Sequence, residues 1–341
     1  MTLLLPLFSA FLFSLATPFS KVLLAGLSPA FIAGLSYFSS ALGLRLYGFF
    51  RKKEESKILK KDWPNLFFIV LSGGVLAPLF LLKGLLLTKA SSASILLNFE
   101  IVFTSLLAIA FFKEHGGGKL WAAVFLVFAG SFLLFFSPAH GFAAGKGGLF
   151  VVLAALMWAM DNNLTARISL KDPFTIAVIK GFAGGTVNLL ISFLTESAGN
   201  LLPISLAGVF LMGVFSYGLS LILLIYSMRM AGAARAVAVF GAYPFMSFAL
   251  SIIFLKEKLT AGGGAAFVLM LAALYLINSQ RHGHRHSHDG TEHDHLHAHE
   301  DGHHLHGHED VPPGAEHAHP HRHDSLEHSH EHLPDIHHKH H

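Results

Sequence analysis

Ten stretches of about twenty mostly apolar residues, set apart by short charged or Gly/Pro-rich breaks, constrain this chain more than any other feature. They lie near residues 2–24, 29–50, 64–86, 91–112, 119–137, 148–168, 173–195, 203–227, 234–255 and 261–279. A hydrocarbon core about 30 Å thick takes roughly 20 residues of α-helix to cross, so each stretch is long enough to span a bilayer. Inside lipid no water can hydrogen-bond a stray backbone group, which demands helices rather than an open sheet. The expected fold is therefore all-α, a polytopic membrane protein with ten transmembrane helices. Composition agrees: 53% of residues are hydrophobic and 13% charged, where soluble domains carry about a quarter charged residues. The first stretch lacks a basic n-region and is expected to remain in the mature protein. There is no cysteine, which excludes disulfides and thiolate metal sites. The formal net charge of +3 gives no reason to invoke nucleic acid.

Lys and Arg concentrate in cytoplasmic loops. The strongest such loop, Arg51-Lys52-Lys53-Glu54-Glu55-Ser56-Lys57-Ile58-Leu59-Lys60-Lys61, joins the second and third spans. Placing it in the cytoplasm puts both termini there, in a multi-pass protein of the cytoplasmic membrane. Lys113 and Lys119, Arg167 and Lys171, and Arg229 and Arg235 fall on the same side, Lys256 and Lys258 on the other.

The chain repeats itself. Phe112-Lys113-Glu114 closes the fourth span and Leu255-Lys256-Glu257 the ninth, 143 positions later. At that offset Ala90 faces Ala233, Ala93 faces Ala236, Thr104 faces Ser247 and Leu107 faces Leu250; Gly116-Gly117-Gly118 and Gly262-Gly263-Gly264 follow each copy. Pro29 and Pro173, each just ahead of a span, stand 144 apart. Residues 1–137 and 138–280 are thus read as two five-helix repeats, and an odd number of spans forces the halves into opposite orientations. Inverted repeats mark secondary transporters, which hold substrate near the midplane where the repeats meet.

An Ala-rich helix start, an apolar span ending in Glu, a Gly-containing turn and another apolar span, found twice, resembles the EamA-domain family of the drug/metabolite transporter superfamily over roughly residues 1–280. The resemblance implies two inverted five-helix repeats around a central cavity, with alternating access. It implies no particular substrate, since members carry amino acids, nucleotide derivatives, sugars, drugs and other metabolites. Tyr243-Pro244 fits the pattern in the ninth span. Glu100-Ile101 departs from it in the fourth, and the Arg often found near Ser36-Tyr37 is absent.

Charges within spans are costly unless paired or wetted. Asp161 in the sixth span and Lys180 in the seventh both fall roughly 10 Å from the inner boundary at 1.5 Å per residue. An ion pair between them would act as a gate, as a proton-coupled substrate site, or as a structural lock. Lys180 also takes, in the second repeat, the place of Ser36. Glu100 is the most central acid, and a carboxylate at that depth has to be protonated, paired or solvated. It is a candidate for proton coupling or for binding a cationic substrate, with Asn98 half a turn away and Asn162 beside Asp161. Lys83 either neutralises Glu100 or snorkels to the interface. Glu114 and Glu257 stand at helix ends, where capping or topology-setting suffices. Pro18 and Asp161 correspond at the 143 offset, and helices interrupted at matched positions point to a binding site.

The last segment, 281–341, holds 23 of the 25 histidines. Its His282, His284, His286 and His288, then His293, His295, His297 and His299, alternate with small or polar residues. With too few apolar residues to fold, it is expected to be disordered. Neutral imidazole suits Zn²⁺, Ni²⁺ and Co²⁺, and affinity should fall below about pH 6 as imidazole protonates. The core requires no cofactor. The leading reading is a transporter of a small molecule with a metal-binding tail. An alternative is a Ni/Co/Zn transporter with the tail as collector or sensor, though no span contains His or Cys. A membrane-anchored metal reservoir is a third, for which ten spans are more than an anchor needs. No nucleophile–base pair or phosphate loop suggests an enzyme, and nothing decides between monomer and homodimer.

Overall fold

The computed structural model describes residues 4–49, 58–112, 118–135, 141–168, 171–195, 198–231, 236 and 239–278, and four strands beyond them. Most of the basic loop 51–61, Glu114, Ala233 and His299 lie outside the described residues.

Up to Asn278 the described chain is essentially helical. Six helical rods are long and apolar enough to cross a membrane: Leu4–Leu23, Lys60–Leu87, Ala90–Phe111, Gly145–Thr165, Pro173–Thr195 and Pro203–Ser227. Three shorter apolar helices, Gly118–Leu133, Tyr243–Leu255 and Ala261–Leu276, and the 20-residue helix Pro29–Gly48 occupy the other expected stretches. Two helix starts repeat one device, a capping side chain followed by proline. Ser28 Oγ accepts from the Phe31 amide at 3.3 Å ahead of Pro29. The Asp172 carboxylate accepts from the Phe174 and Thr175 amides at 3.2 and 3.3 Å around Pro173. Proline at N1 lacks the N–H that a helix start leaves unpaired, and the cap serves the donors that remain.

The exterior is the reverse of a water-soluble protein's. Phe125, Tyr275, Ile204 and Leu194 stand 71–82% exposed, while Ser39, Ser94, Ser192 and Ser247 are fully buried. Apolar side chains lose nothing by facing lipid, so small residues and interhelical hydrogen bonds are left to join the helices. Contacts gather at two opposite ends. At one, Lys21 donates to the carbonyls of Leu85 and Thr88, Asn200 N–H reaches Gly26 O at 2.8 Å, and Glu257 accepts from the amides of Ala90 and Ser91 at 2.9 and 3.0 Å. At the other, Lys171 meets Asp62 at 3.8 Å, Arg167 lies over the Phe111 ring at 5.7 Å, and the Tyr47 and Tyr226 hydroxyls hydrogen-bond. Neighbouring rods therefore run in alternate directions.

At the centre the Pro29–Gly48 and Pro173–Thr195 helices cross antiparallel, with the Ser28 and Ser192 hydroxyls bonded at 3.0 Å at one end, Phe38 against Phe182 at 5.1 Å in the middle and Tyr47 stacked on Phe174 at 5.8 Å at the other. Lys60–Leu87 lies against this pair so closely that a Cβ on Gly184 would sit 2.6 Å from the Gly74 carbonyl oxygen.

Beyond Asn278, where the sequence suggested disorder, the described residues are four short strands. His282–His288 pairs antiparallel with Leu326–His332, and Glu292–His297 with His317–Arg322. The alternation of His with other residues has a period of two, which is a strand's own repeat, and both two-stranded ladders share one register.

Gly184→Ala should destabilise the detergent-solubilised protein by about 1–3 kcal/mol, the range for overpacking a filled interior. Gly264→Ala, where a Cβ meets nothing within 4 Å, should leave the thermal midpoint unchanged; equal midpoints for the two variants would contradict the packing described.

Candidate functional site

Among the described residues five helices are interrupted: the first at Leu15, between Leu4–Ser14 and Ala16–Leu23, and four others in two matched pairs. Residues Val70–Leu76 and Gly213–Leu219 each form a π-helical turn, and the two segments are 143 positions apart. The fourth stretch breaks at Leu97-Asn98 between helices Ala90–Leu96 and Phe99–Phe112, and the ninth at Gly241-Ala242 just before helix Tyr243–Leu255. A π turn loosens the regular ladder and frees carbonyls for other donors, which is why such turns recur at functional sites. Here Gly73 O accepts from the Tyr37 hydroxyl at 2.9 Å and Gly74 O from Asn188 Nδ2 at 3.1 Å.

Beside these breaks lies a polar cluster. Lys180 Nζ donates to Asp161 Oδ2 at 2.7 Å, and Thr165 Oγ1 to Asp161 Oδ1 at 3.3 Å. Asp161 packs directly against Gly73, where no side chain would fit. Glu100 is held by neutral donors, Asn162 Nδ2 on Oε1 and the Tyr243 hydroxyl on Oε2, both at 2.9 Å. Glu100 and Tyr243 are separated by 143 residues, the offset seen in the sequence. Aromatic rings extend from Tyr243: Phe13 at 4.7 Å, Phe240 at 5.4 Å, then Tyr217 at 5.7 Å from Phe13 and Tyr37 at 5.5 Å from Tyr217. Trp158 Nε1 donates to the Tyr37 hydroxyl at 3.4 Å.

Burial changes at Glu100. Residues 90–99 are all buried, whereas Glu100 and positions 103–109 are partly exposed and Asn162 is exposed. In the second half the positions matching Thr104 and Ala108 are Ser247 and Ser251, both fully buried, with Ser247 Oγ bonded to Ser94 Oγ at 2.9 Å.

The structure brings together Asp161 with Lys180 and Glu100 with Asn162. Asn98 turns away, its side chain donating to Ile95 O at 2.9 Å, so it closes the end of its own helix. Lys83 forms no ion pair with Glu100 among the described residues; the carboxylate is held instead by Asn162 and Tyr243. The matched interruption expected at Pro18 and Asp161 is absent, because Gly141–Arg167 runs unbroken through Asp161; the matched breaks are those above. Glu257 caps the helix beginning at Ala90. Sequence reasoning missed Tyr243 as the partner of Glu100, and with it the aromatic wall. The signal was present, since the two residues align when one half is laid on the other.

A multi-pass helical membrane protein with paired helix breaks beside a polar cluster is the class these observations define. A family model described as the EamA-like transporter family matches residues 1–136 and again 145–279, and the chain belongs to that family. Its members are transporters rather than enzymes. It is 29% identical over 286 residues to a protein of Methanothermobacter thermautotrophicus named an uncharacterized transporter, covering 78% of this chain and 82% of that one. A protein of Archaeoglobus fulgidus with the same name is 27% identical over 281 residues, covering 77% and 92%. One solved structure, described only as a crystal structure of protein, shares the fold with a TM-score of 0.58 at 15% identity, over 81% of this chain and 95% of its own.

Removing one partner of a buried ion pair leaves an uncompensated charge, at a cost of about 3–5 kcal/mol. Lys180→Ala should lower the thermal midpoint far more than the double variant Asp161→Leu/Lys180→Met, which removes both charges. A double variant as unstable as Lys180→Ala would show that the pair is not what stabilises this region.

Proposed function

We propose that the protein is a secondary transporter that carries a small molecule across the cytoplasmic membrane by alternating access, and that the Glu100 cluster is its transport site. In this reading residues 1–137 and 138–280 are inverted five-helix repeats, ten spans in all, with both termini in the cytoplasm. The observation that carries it is the hydrogen bond between Glu100 and Tyr243, residues at equivalent positions of the two repeats. Equivalent residues of two inverted halves meet only near the axis that relates them. Exchanging the conformations of the halves turns the molecule from one side of the membrane to the other, and the groups that serve both sides lie near that axis. Glu100 and Tyr243 do so.

The burial pattern supports an inward-open state. The partly exposed run beyond Glu100 leads to the end where Arg167 and Lys171 stand, and Ser247 and Ser251 belong to the half that is shut. Because the chain contains no cysteine, access is measurable with single substitutions. Ala108→Cys should react with a membrane-impermeant maleimide from the cytoplasmic face, and its counterpart Ser251→Cys should be inert. An imposed transmembrane pH gradient or bound cargo should move the two reactivities in opposite directions. Reactivities that stay fixed, or change together, rule out alternating access at this site. In transport assays Asp161→Asn and Lys180→Ala should impair flux and Glu114→Gln should do so less.

We propose further that the His-rich tail binds Zn²⁺, Ni²⁺ or Co²⁺ in the cytoplasm as a buffer or sensor. Its backbone register sets histidine opposite histidine at 282/332, 284/330 and 286/328, and again at 293/321, 295/319 and 297/317. Metal as cargo is the weaker reading, because Glu100 and Asp161 each hold separate partners and no span contains His or Cys. Full-length protein should bind Ni²⁺ at pH 7.5 and lose most of it below about pH 6 as imidazole protonates, while a version ending at Gln280 should not bind. Ni²⁺, Co²⁺ or Zn²⁺ flux into proteoliposomes that survives the truncation would make metal the cargo instead.

A further inference from the structure

Charge and ring chemistry at the Glu100 cluster narrow the cargo, on the reading that this cluster is the transport site. Asp161 and Lys180 compensate each other at 2.7 Å. Among the described residues Glu100 receives only the neutral donors Asn162 and Tyr243. When ionised, the cluster therefore carries one uncompensated negative charge in the apolar interior, and the ammonium nearest to it is already paired. An anion would add a second negative charge to this site, and the carboxylate of a zwitterion would find Lys180 engaged. A monovalent cation brings the cluster to neutrality.

The wall beside the carboxylate has the matching chemistry. Phe13, Phe240, Tyr243, Tyr217 and Tyr37 form one connected array of rings, most pairs edge-to-face or tilted. Ring faces carry negative quadrupole potential and attract ammonium groups while offering apolar contact to the rest of a ligand. The two donors on Glu100 also tolerate its neutral form: a phenol can accept as well as donate, and an amide presents an acceptor once flipped. The titratable groups facing Glu100 are Tyr243 from the ninth stretch, Asp161 from the sixth, Lys180 from the seventh and Tyr37 from the second.

We infer that the cargo is a monovalent organic cation, an amine or quaternary ammonium with an apolar body, and that it and a proton bind Glu100 in alternation. With the site open to one face, the Glu100 O–H bond breaks, the proton passes to water on that face, and the carboxylate formed pairs with the ammonium. On the other face the cation leaves and the carboxylate takes a proton from water. Each cycle exchanges one cation for one proton, driven by the transmembrane proton gradient.

The test uses full-length Ala108→Cys protein with two water-soluble probes of similar size and opposite charge, phenyltrimethylammonium and benzenesulfonate. Phenyltrimethylammonium should slow maleimide labelling of Cys at position 108, release up to about one proton per cation bound in weakly buffered solution, and bind about tenfold more weakly per pH unit on the acid side of Glu100 protonation. Glu100→Gln should abolish both protection and proton release. Glu100→Asp, which keeps the charge, should retain proton release at reduced affinity, so loss in the first variant is separable from misfolding. Protection by benzenesulfonate, or by neither probe while positions 108 and 251 still show alternating reactivity, overturns the cation assignment and leaves the transport site standing. Protection without proton release overturns the exchange. Absence of alternating reactivity at 108 and 251 overturns the site itself.

Discussion

The antiparallel contact between the Pro29–Gly48 and Pro173–Thr195 helices is the constraint from which the polar interior follows. Lipid supplies no hydrophobic force to press helices together, so association rests on close backbone packing and hydrogen bonds. Here Gly181 and Gly185 of the second helix meet backbone atoms of the first, and Gly184 between them admits the Gly74 turn. Once Lys60–Leu87 is drawn in that far, the carbonyls freed by its π turn face the two crossing helices. Tyr37 serves Gly73 and Asn188 serves Gly74. Asp161 then has only the bare face of Gly73 beside it, and Lys180 completes the set.

Two acids in one interior are handled in different ways. Asp161 is buried and neutralised by an ammonium at 2.7 Å. Glu100 is partly exposed and held by an amide and a phenol. A charge that is permanently compensated does not exchange its partner readily, whereas one held by neutral donors is free to take and lose a proton or a cation. The division of labour follows: the ion pair fastens helices around the break in the third stretch, and the carboxylate at the break in the fourth is the group able to change state.

The tail belongs to another solvent. Its sequence is poor in apolar residues, and the backbone of its described strands pairs within the tail. The same alternation that suggested a loose, metal-gathering ribbon is also the period of a strand. Composition alone could not separate the two, because a period of two specifies which residues share a face and says nothing about whether a partner strand is present.

The length and apolarity of the stretches, the charge of the loops and the 143-residue repeat by themselves determined that this chain is a helical membrane protein of the EamA-like transporter family, because lipid leaves the backbone no other economy of hydrogen bonds. The sequence also marked Glu100, Asp161, Asn162 and Lys180, since a charge or amide in an apolar run stands out. Equal depth on neighbouring spans also suggested the Asp161–Lys180 pair, which is present at 2.7 Å, but not which groups meet Glu100. Lys83 and Asn98 were plausible neighbours of Glu100 by depth and by spacing, yet depth is one coordinate of three and says nothing of which face a helix turns inward. Only the tertiary structure decided that Tyr243 and Asn162 hold the carboxylate, that breaks fall at Leu15, at the π turns and at Asn98 and Gly241, and that aromatic rings gather beside a carboxylate held by neutral donors. Those facts depend on the rotation and crossing of helices distant in sequence, which packing of small residues sets and no local pattern records.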